Sequence, residues 1–343
     1  MHLQSGGILT HIIASLLGFH LNKPPQKLSE LGLFKGDIKN LESHTGIIYY
    51  ELINPLFSDY AYKIRFVKLP PGTQATYHES EVFDFPVGTL LIKNFYYPQD
   101  FRIPDGARRI LETRILAKTE KGWEAWPYLW NEEQSEAFYD VAGKSVWVSW
   151  IHFDGKKRSI NYVVPNKNQC KQCHEYKGGL SPIGLAARHL NKPITYYGQT
   201  VPNQLDFWAT MGLLKDFPGS EVCEKLAAWD DPSESTEDRA RSYLDINCGH
   251  CHRPEGQASN SGLFLNIREQ VPMRLGIMKP PVAAGRASAH MKFSIAPGQP
   301  DQSILIYRMA SLDPGIMMPE MGRKTVDEEG IKLLRQWISQ MKN

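Results

Sequence analysis

Four of the five cysteines in this chain of 343 residues stand in two copies of one pattern, Cys170-Lys171-Gln172-Cys173-His174 and Cys248-Gly249-His250-Cys251-His252. Cys-x-x-Cys-His is the attachment signature of c-type haem. Two thiols at that spacing can each form a thioether with one porphyrin vinyl group, and the adjoining histidine then lies beneath the iron. Other uses of a Cys-x-x-Cys pair fit the chain less well. A tetrahedral zinc site draws its pairs from within about 15–20 residues of each other, whereas the first cysteines here are 78 positions apart, at 170 and 248. A redox disulfide wants a βαβ setting, and Cys170 follows a strand-like run and a Pro-Asn loop. The motifs are therefore read as sites for two covalently bound haem c groups. Cys170, Cys173, Cys248 and Cys251 attach them, and His174 and His252 are the proximal iron ligands.

Haem iron in electron carriers commonly takes Met or His as its sixth ligand. For the second motif the candidate is Met318, in the segment 315–321 (GIMMPEM), with Met317 and Met321 as substitutes. Pro319 keeps that loop from continuing as a helix. The plainer reading of these methionines is core filler. For the first motif the choice stays open between His189, Met211, His152, His290, Met291 and an unfilled position. His250 sits inside the second motif and is not its proximal ligand, and Cys223 is left as a buried thiol.

The length allows two or three domains. Lys and Arg total 39 against 37 Asp and Glu, a net charge of +2, which gives no electrostatic case for nucleic acid binding. Residues 8–19 (ILTHIIASLLGF) form an apolar run too short to span a bilayer. The run fits the apolar region of a secretory signal, although no Lys or Arg precedes it and His11 interrupts it. An amphipathic helix or a misplaced start is the alternative. No later stretch is apolar enough to cross a membrane, so no span is expected in the mature chain.

Residues 20–45 read as an extended lead-in. Strand-like alternation then dominates to about 165. In 61–69, Tyr62, Ile64 and Phe66 share one face with Lys63 and Arg65 opposite; runs over 111–118, 146–151 and 160–164 follow the same rule. After Pro165 strands are expected to stop and helices to begin, over 203–214, 236–247, 303–311 and 325–341. The last opens on a capping-box pattern of Thr325 and Glu328. The organisation read from these signals is a candidate signal segment (1–22), a β-rich domain (23–165), a first haem segment (166–229) and a second haem domain (230–343).

Residues 230–343 resemble a class I cytochrome c domain, with a helix leading into the second motif, a Met318-Pro319 loop and a closing helix. The chain from about 45 onward resembles a family of uncharacterised bacterial dihaem c-type cytochromes. The residues that carry this are 86–89 (PVGT), 111–116 (LETRIL), 130–134 (WNEEQ), 164–168 (VPNKN) running into Cys170, and 203–205 (NQL). Similar segments occur beside quinoprotein sugar-dehydrogenase-like modules. The short strands with turns between them suggest an antiparallel sandwich or barrel, and with the resemblance the expected fold is α+β: an antiparallel β-sandwich-like domain followed by an all-α cytochrome c-like haem region. The resemblance also implies export, since haem c is attached outside the bacterial cytoplasmic membrane. The function expected is single-electron transfer in the periplasm with a redox protein partner, such as a quinoprotein dehydrogenase. The alternatives are a dihaem peroxidase-like enzyme with one open iron, or a binding module whose haems relay electrons.

Overall fold

A computed structural model of the chain describes residues 23–342, apart from Tyr197 and Ala283. The apolar run at 8–19 lies outside the described residues. In chain order the strands are β1 (Ile47–Tyr50), β2 (Tyr62–Lys68), β3 (Ala75–Thr76), β4 (Leu90–Pro98), β5 (Arg108–Thr119), β6 (Gly122–Trp130), β7 (Ala137–Tyr139), β8 (Lys144–Ile151) and β9 (Lys157–Val164). Five short strands follow: β10 (Glu175–Tyr176), β11 (Gly179–Leu180), β12 (Ile194–Tyr196), β13 (Gln199–Val201) and β14 (Leu214–Lys215). The α-helices are α1 (Lys167–His174), α2 (Ala187–Leu190), α3 (Gln204–Thr210), α4 (Thr236–Leu244), α5 (Ile304–Ala310) and α6 (Glu328–Gln340).

Six strands form one antiparallel sheet in the order β1-β2-β4-β5-β6-β7. Its central strands are the aromatic and β-branched runs, which suit a pleated buried surface. On one face Phe66, Ile92, Ile115, Trp126 and Tyr128 pack into a core. The lead-in covers that face. Two 3-10 turns, Leu28–Leu31 and Ile38–Asn40, set Leu28, Leu31, Leu33, Phe34 and Ile38 into the same core. Residues expected to run extended are thus folded, because burying these side chains outweighs holding the chain straight in water.

The opposite face is covered as well. Phe95, Tyr97 and Leu111 pack against Val148, Trp150, Ile160 and Tyr162 of the β8–β9 hairpin. Val67 and Leu91 join a cluster with Leu185, Leu205, Trp208 and Ile246. Between the two clusters Arg65 pairs with Lys93, and Lys93 with Arg114, so three cations stand in line across β2, β4 and β5. The alternation of 61–69 holds, but the face given to Lys63 and Arg65 is interior: Arg65 is 6% exposed. Like charges directly opposed destabilise a sheet pair, by on the order of 2–3 kcal/mol for charges about 6 Å apart at an effective dielectric of about 20. Partial relief comes from the Phe95 ring, which has Lys63, Lys93 and Arg114 at 5.9, 5.0 and 4.2 Å from its centre, and from Glu112, which takes Arg114 at 2.5 Å.

The expected architecture, a β-sandwich-like domain followed by an all-α cytochrome c-like region, is overturned. The N-terminal part is one six-stranded sheet with a hairpin on it. Beyond Pro165 lie five more strands, including the β10–β11 and β12–β13 hairpins, and β14 pairs in parallel with β3. The helices there are short, and residues 250–303 are mostly turns. Tight Gly turns such as Gly178 and Gly198, both at φ +80°, close ladders too short to show as alternation.

Three helices do pack together near the C-terminus. Tyr243 and Leu244 of α4, Leu305 and Met309 of α5, and Leu334 and Trp337 of α6 share a core. α6 starts one turn later than expected. Its N-cap is Asp327, which accepts the Gly330 amide at 2.9 Å, and not Thr325. Thr325 instead gives its amide and hydroxyl to the Asp59 carboxylate at 2.8 and 3.0 Å. Gly330 is demanded by packing, since a Cβ there would collide with the Tyr243 ring. Gly330→Ala should therefore cost about 1–3 kcal/mol, as overpacking does, despite its better helix propensity. Urea unfolding measures this; an unchanged or higher midpoint would contradict the close crossing.

Candidate functional site

The two cysteine motifs, 78 positions apart in sequence (170 and 248), meet in space. α1 is started by a capping box in which Asn166 accepts the Gln169 amide at 2.8 Å and Gln169 accepts the Asn166 amide at 2.9 Å. The helix carries Cys170, Cys173 and His174 and packs on β6. α4 runs into one π-helical turn, Asp245–Gly249, which carries Cys248. Such turns recur at functional sites. The Cys251 thiol donates to the Gln172 carbonyl at 3.7 Å, and Cys173 lies against both Cys251 and His250. The interaction between the two side chains pulls Cys173 below the ordinary thiol range and pushes Cys251 above it. Burial raises Cys170 and lifts Cys248 to about 12.

The two histidines are held alike. His174 Nδ1 lies 2.7 Å from the Ser181 carbonyl, and the Ser181 amide donates back to the His174 carbonyl at 2.7 Å. His252 Nδ1 lies 3.2 Å from the Leu263 carbonyl, and the Leu265 amide donates to the His252 carbonyl at 2.8 Å. A carbonyl can only accept, so each Nδ1 must carry the proton. Each Nε2 then keeps its lone pair, and neither ring spends it on the protein among the described hydrogen bonds. Burial presses both histidines down to about 4, so both are neutral near pH 7. A ring fixed through one nitrogen and open at the other is how proteins orient a metal-binding imidazole. Cysteine and histidine side chains of this kind fit a covalently attached haem, whose iron needs only one or two protein ligands. Among the described residues no three His, Cys, Asp or Glu side chains converge as a purely protein-built metal site would require.

Met318 belongs to a tied-down loop beside the second motif. Its amide donates to the Arg308 carbonyl at 3.0 Å, and Arg308 Nε donates to the Ile316 carbonyl at 2.8 Å. Buried Arg323 holds the Ser311 carbonyl at 2.7 Å and the Thr325 carbonyl at 3.1 Å. Arg308 acts electrostatically on His252, and Glu320 on Cys251, so this loop adjoins the motif. Met317 is buried and Met318 half-buried.

Two candidates for the first motif, His189 and His152, are otherwise engaged, and Met291 is half-buried. His189 is buried with Nε2 3.1 Å from Asp245. His152 accepts the Trp150 indole N–H at 3.1 Å and packs among Tyr60, Phe101 and Phe153. Met211 is 56% exposed, and His290 is exposed. The charged groups that act on His174 are Cys173, Lys93 and His250. Cys223 is buried, with its thiol 3.4 Å from the Tyr77 hydroxyl.

Sequence reasoning missed the groups that aim the site. The Ser181 and Leu263 carbonyls leave no side-chain signature. Asp245, at the start of the π turn, accepts from Arg188 at 2.9 Å and from the Ile267 amide at 2.9 Å besides His189, and so fastens Cys248 to the body. Lys93, a single half-buried cation within the apolar run of β4, was a legible sign of charge on an inner face. Comparison with family models, curated proteins and solved structures finds no match for this chain.

Burial alone would raise the Asp245 carboxyl, but Arg188, His189 and the Ile267 amide hold it below the usual carboxylate range. Its stabilising contribution is therefore complete above the unfolded carboxylate value of about 3.9 and is lost as pH falls below that. Asp245→Asn should cost about 3 kcal/mol at neutral pH, since it leaves half-buried Arg188 and buried His189 without their shared carboxylate. Melts between pH 7 and pH 3 should show the variant losing less stability over that range than the wild type. Parallel curves would contradict this assignment.

Proposed function

We propose that the chain is an exported dihaem c-type cytochrome that passes single electrons between redox protein partners. The observation that carries the reading is the shared setting of the two histidines. Both sit next to a cysteine pair, give Nδ1 to a main-chain carbonyl and keep Nε2 free. Haem iron, when bound, supplies a one-electron couple that the protein tunes through axial ligands, hydrogen bonds and burial. In this reading Cys170, Cys173, Cys248 and Cys251 hold two haem c groups, His174 and His252 ligate, and Met318 gives its thioether to the second iron. Groups bonded at Cys173 and Cys251 start from adjoining sulfurs, which favours passage of an electron between them. Among the described residues no helix is long and apolar enough to cross a membrane. A partner such as a quinoprotein dehydrogenase fits a carrier of this kind.

One observation favours a second reading. His189 and His152 are spent on Asp245 and Trp150, which leaves room for an open first iron and peroxidase-like chemistry. Carbon monoxide separates the two. The carrier reading expects both reduced haems of the wild type to be low-spin and inert to it, and carbon monoxide binding at one haem supports the enzyme reading. Met318→Ala should keep both haems attached and add one that binds carbon monoxide. Replacing Cys170 and Cys173 by Ala, or Cys248 and Cys251, should reduce the pyridine haemochrome yield from two haems per chain to one. Full yield in either pair variant would overturn the attachment sites.

A further inference from the structure

The line of Arg65, Lys93 and Arg114 is the least explained feature of the sheet. Like charges are opposed on three adjacent central strands, on a face that two apolar clusters close off at either end. Among the described residues, protein carboxylates balance only Arg114. Glu112 is committed to Arg114 and to the Tyr162 hydroxyl. Glu51, the carboxylate that acts on Arg65, is paired with Lys192 at 2.5 Å. Lys63, on the same face, gives its ammonium to the Leu56 carbonyl at 2.7 Å, and Asp327 is the carboxylate that acts on it. Lys93 has no ion pair among the described residues, and one terminal nitrogen of Arg65, a side chain 94% buried, has no hydrogen-bond partner.

The charges of this row reach the first motif, whose helix packs on β6 beside β5. Arg114 acts electrostatically on Cys170, and Lys93 on Cys173 and His174. We propose that Arg65, Lys93 and Arg114 form a carboxylate-binding site whose ligand is the propionate edge of the haem attached at Cys170 and Cys173. The inference rests on the haem reading of that motif. A haem carries two propionates on the edge away from its vinyl groups, so a cofactor anchored at the cysteines presents its anionic edge elsewhere, and Lys93 and Arg65 supply positive charge there that no protein carboxylate pairs. Burial and mutual repulsion push Lys63 and Lys93 well below the ordinary lysine range without a ligand, which a nearby carboxylate reverses. The sheet thereby acquires a role: it is the electrostatic wall of the first haem site.

The test uses the full chain matured with haem-attachment machinery, comparing wild type with Lys93→Gln, Arg65→Gln and Lys93→Arg. Pyridine haemochrome gives haems per chain, resonance Raman reads the propionate bending bands, and a redox titration gives both potentials. The proposal expects two haems in every protein. It also expects a shifted propionate band and a fall in one of the two potentials in each Gln variant, because removing a cation favours the ferric state. Lys93→Arg should restore both. Unchanged bands and potentials in both Gln variants would overturn it. So would a switch of one haem to the high-spin state in Lys93→Gln alone, which would make Lys93 an iron ligand. A saturable response of wild-type holoprotein to added phosphate or succinate that Lys93→Gln abolishes would assign the row to a free anion instead. A wild type that takes up no haem would overturn the functional reading, a failure that the haem count tells apart from failure of the row alone.

Discussion

Each motif histidine gives its Nδ1 proton to a main-chain carbonyl, and the functional account depends on that bond. It fixes the tautomer, the ring plane and the nitrogen left over. It is also local: Ser181 returns by the short β10–β11 hairpin, and Leu263 by the turn after Ser261, so each ring is aimed by chain only seven or eleven residues away. An imidazole aimed in this way loses little entropy when it takes a metal, because its rotamer is already set.

Local aiming alone would leave two separate motifs. The rest of the fold brings them together. Asp59 accepts the Lys324 and Thr325 amides at 2.6 and 2.8 Å, Asn247 accepts the Phe57 amide at 2.8 Å, and Asn54 spans the Ala227 carbonyl and the Trp229 amide, each at 2.8 Å. One loop between β1 and β2 thus clamps the segments before and after the second motif to the sheet. The sheet receives α1 on β6. The result is contact between Cys251 and Gln172, a packing consequence of bonds that lie well outside either motif.

What could be read before the structure divides along physical lines. The β2, β5, β8 and β9 runs were visible because each is long enough for period-two alternation to register. Asn203 was visible as a helix start, and it caps α3 by accepting the Leu205 amide at 2.8 Å. Two- and three-residue ladders such as β10–β11 and β12–β13 were not visible, since alternation over so few residues carries no signal. The parallel pairing of β3 with β14 joins segments more than a hundred residues apart and has no local cause. Lys63 and Arg65 alternated correctly with Tyr62, Ile64 and Phe66, yet alternation says only that two faces exist, not that both are covered. Thr325 matched a capping pattern, but Asp59 claims its amide and hydroxyl and the helix begins after Asp327. The cysteine motifs themselves were fully legible; the carbonyls that orient their histidines were not.

The intact mass of the chain, purified from a host carrying haem-attachment machinery, tests the central claim most directly. The account predicts a denatured mass raised by two haems, with peptide mapping placing one between Cys170 and Cys173 and the other between Cys248 and Cys251. An unmodified mass, or a Cys173–Cys251 disulfide in place of the two adducts, would contradict it.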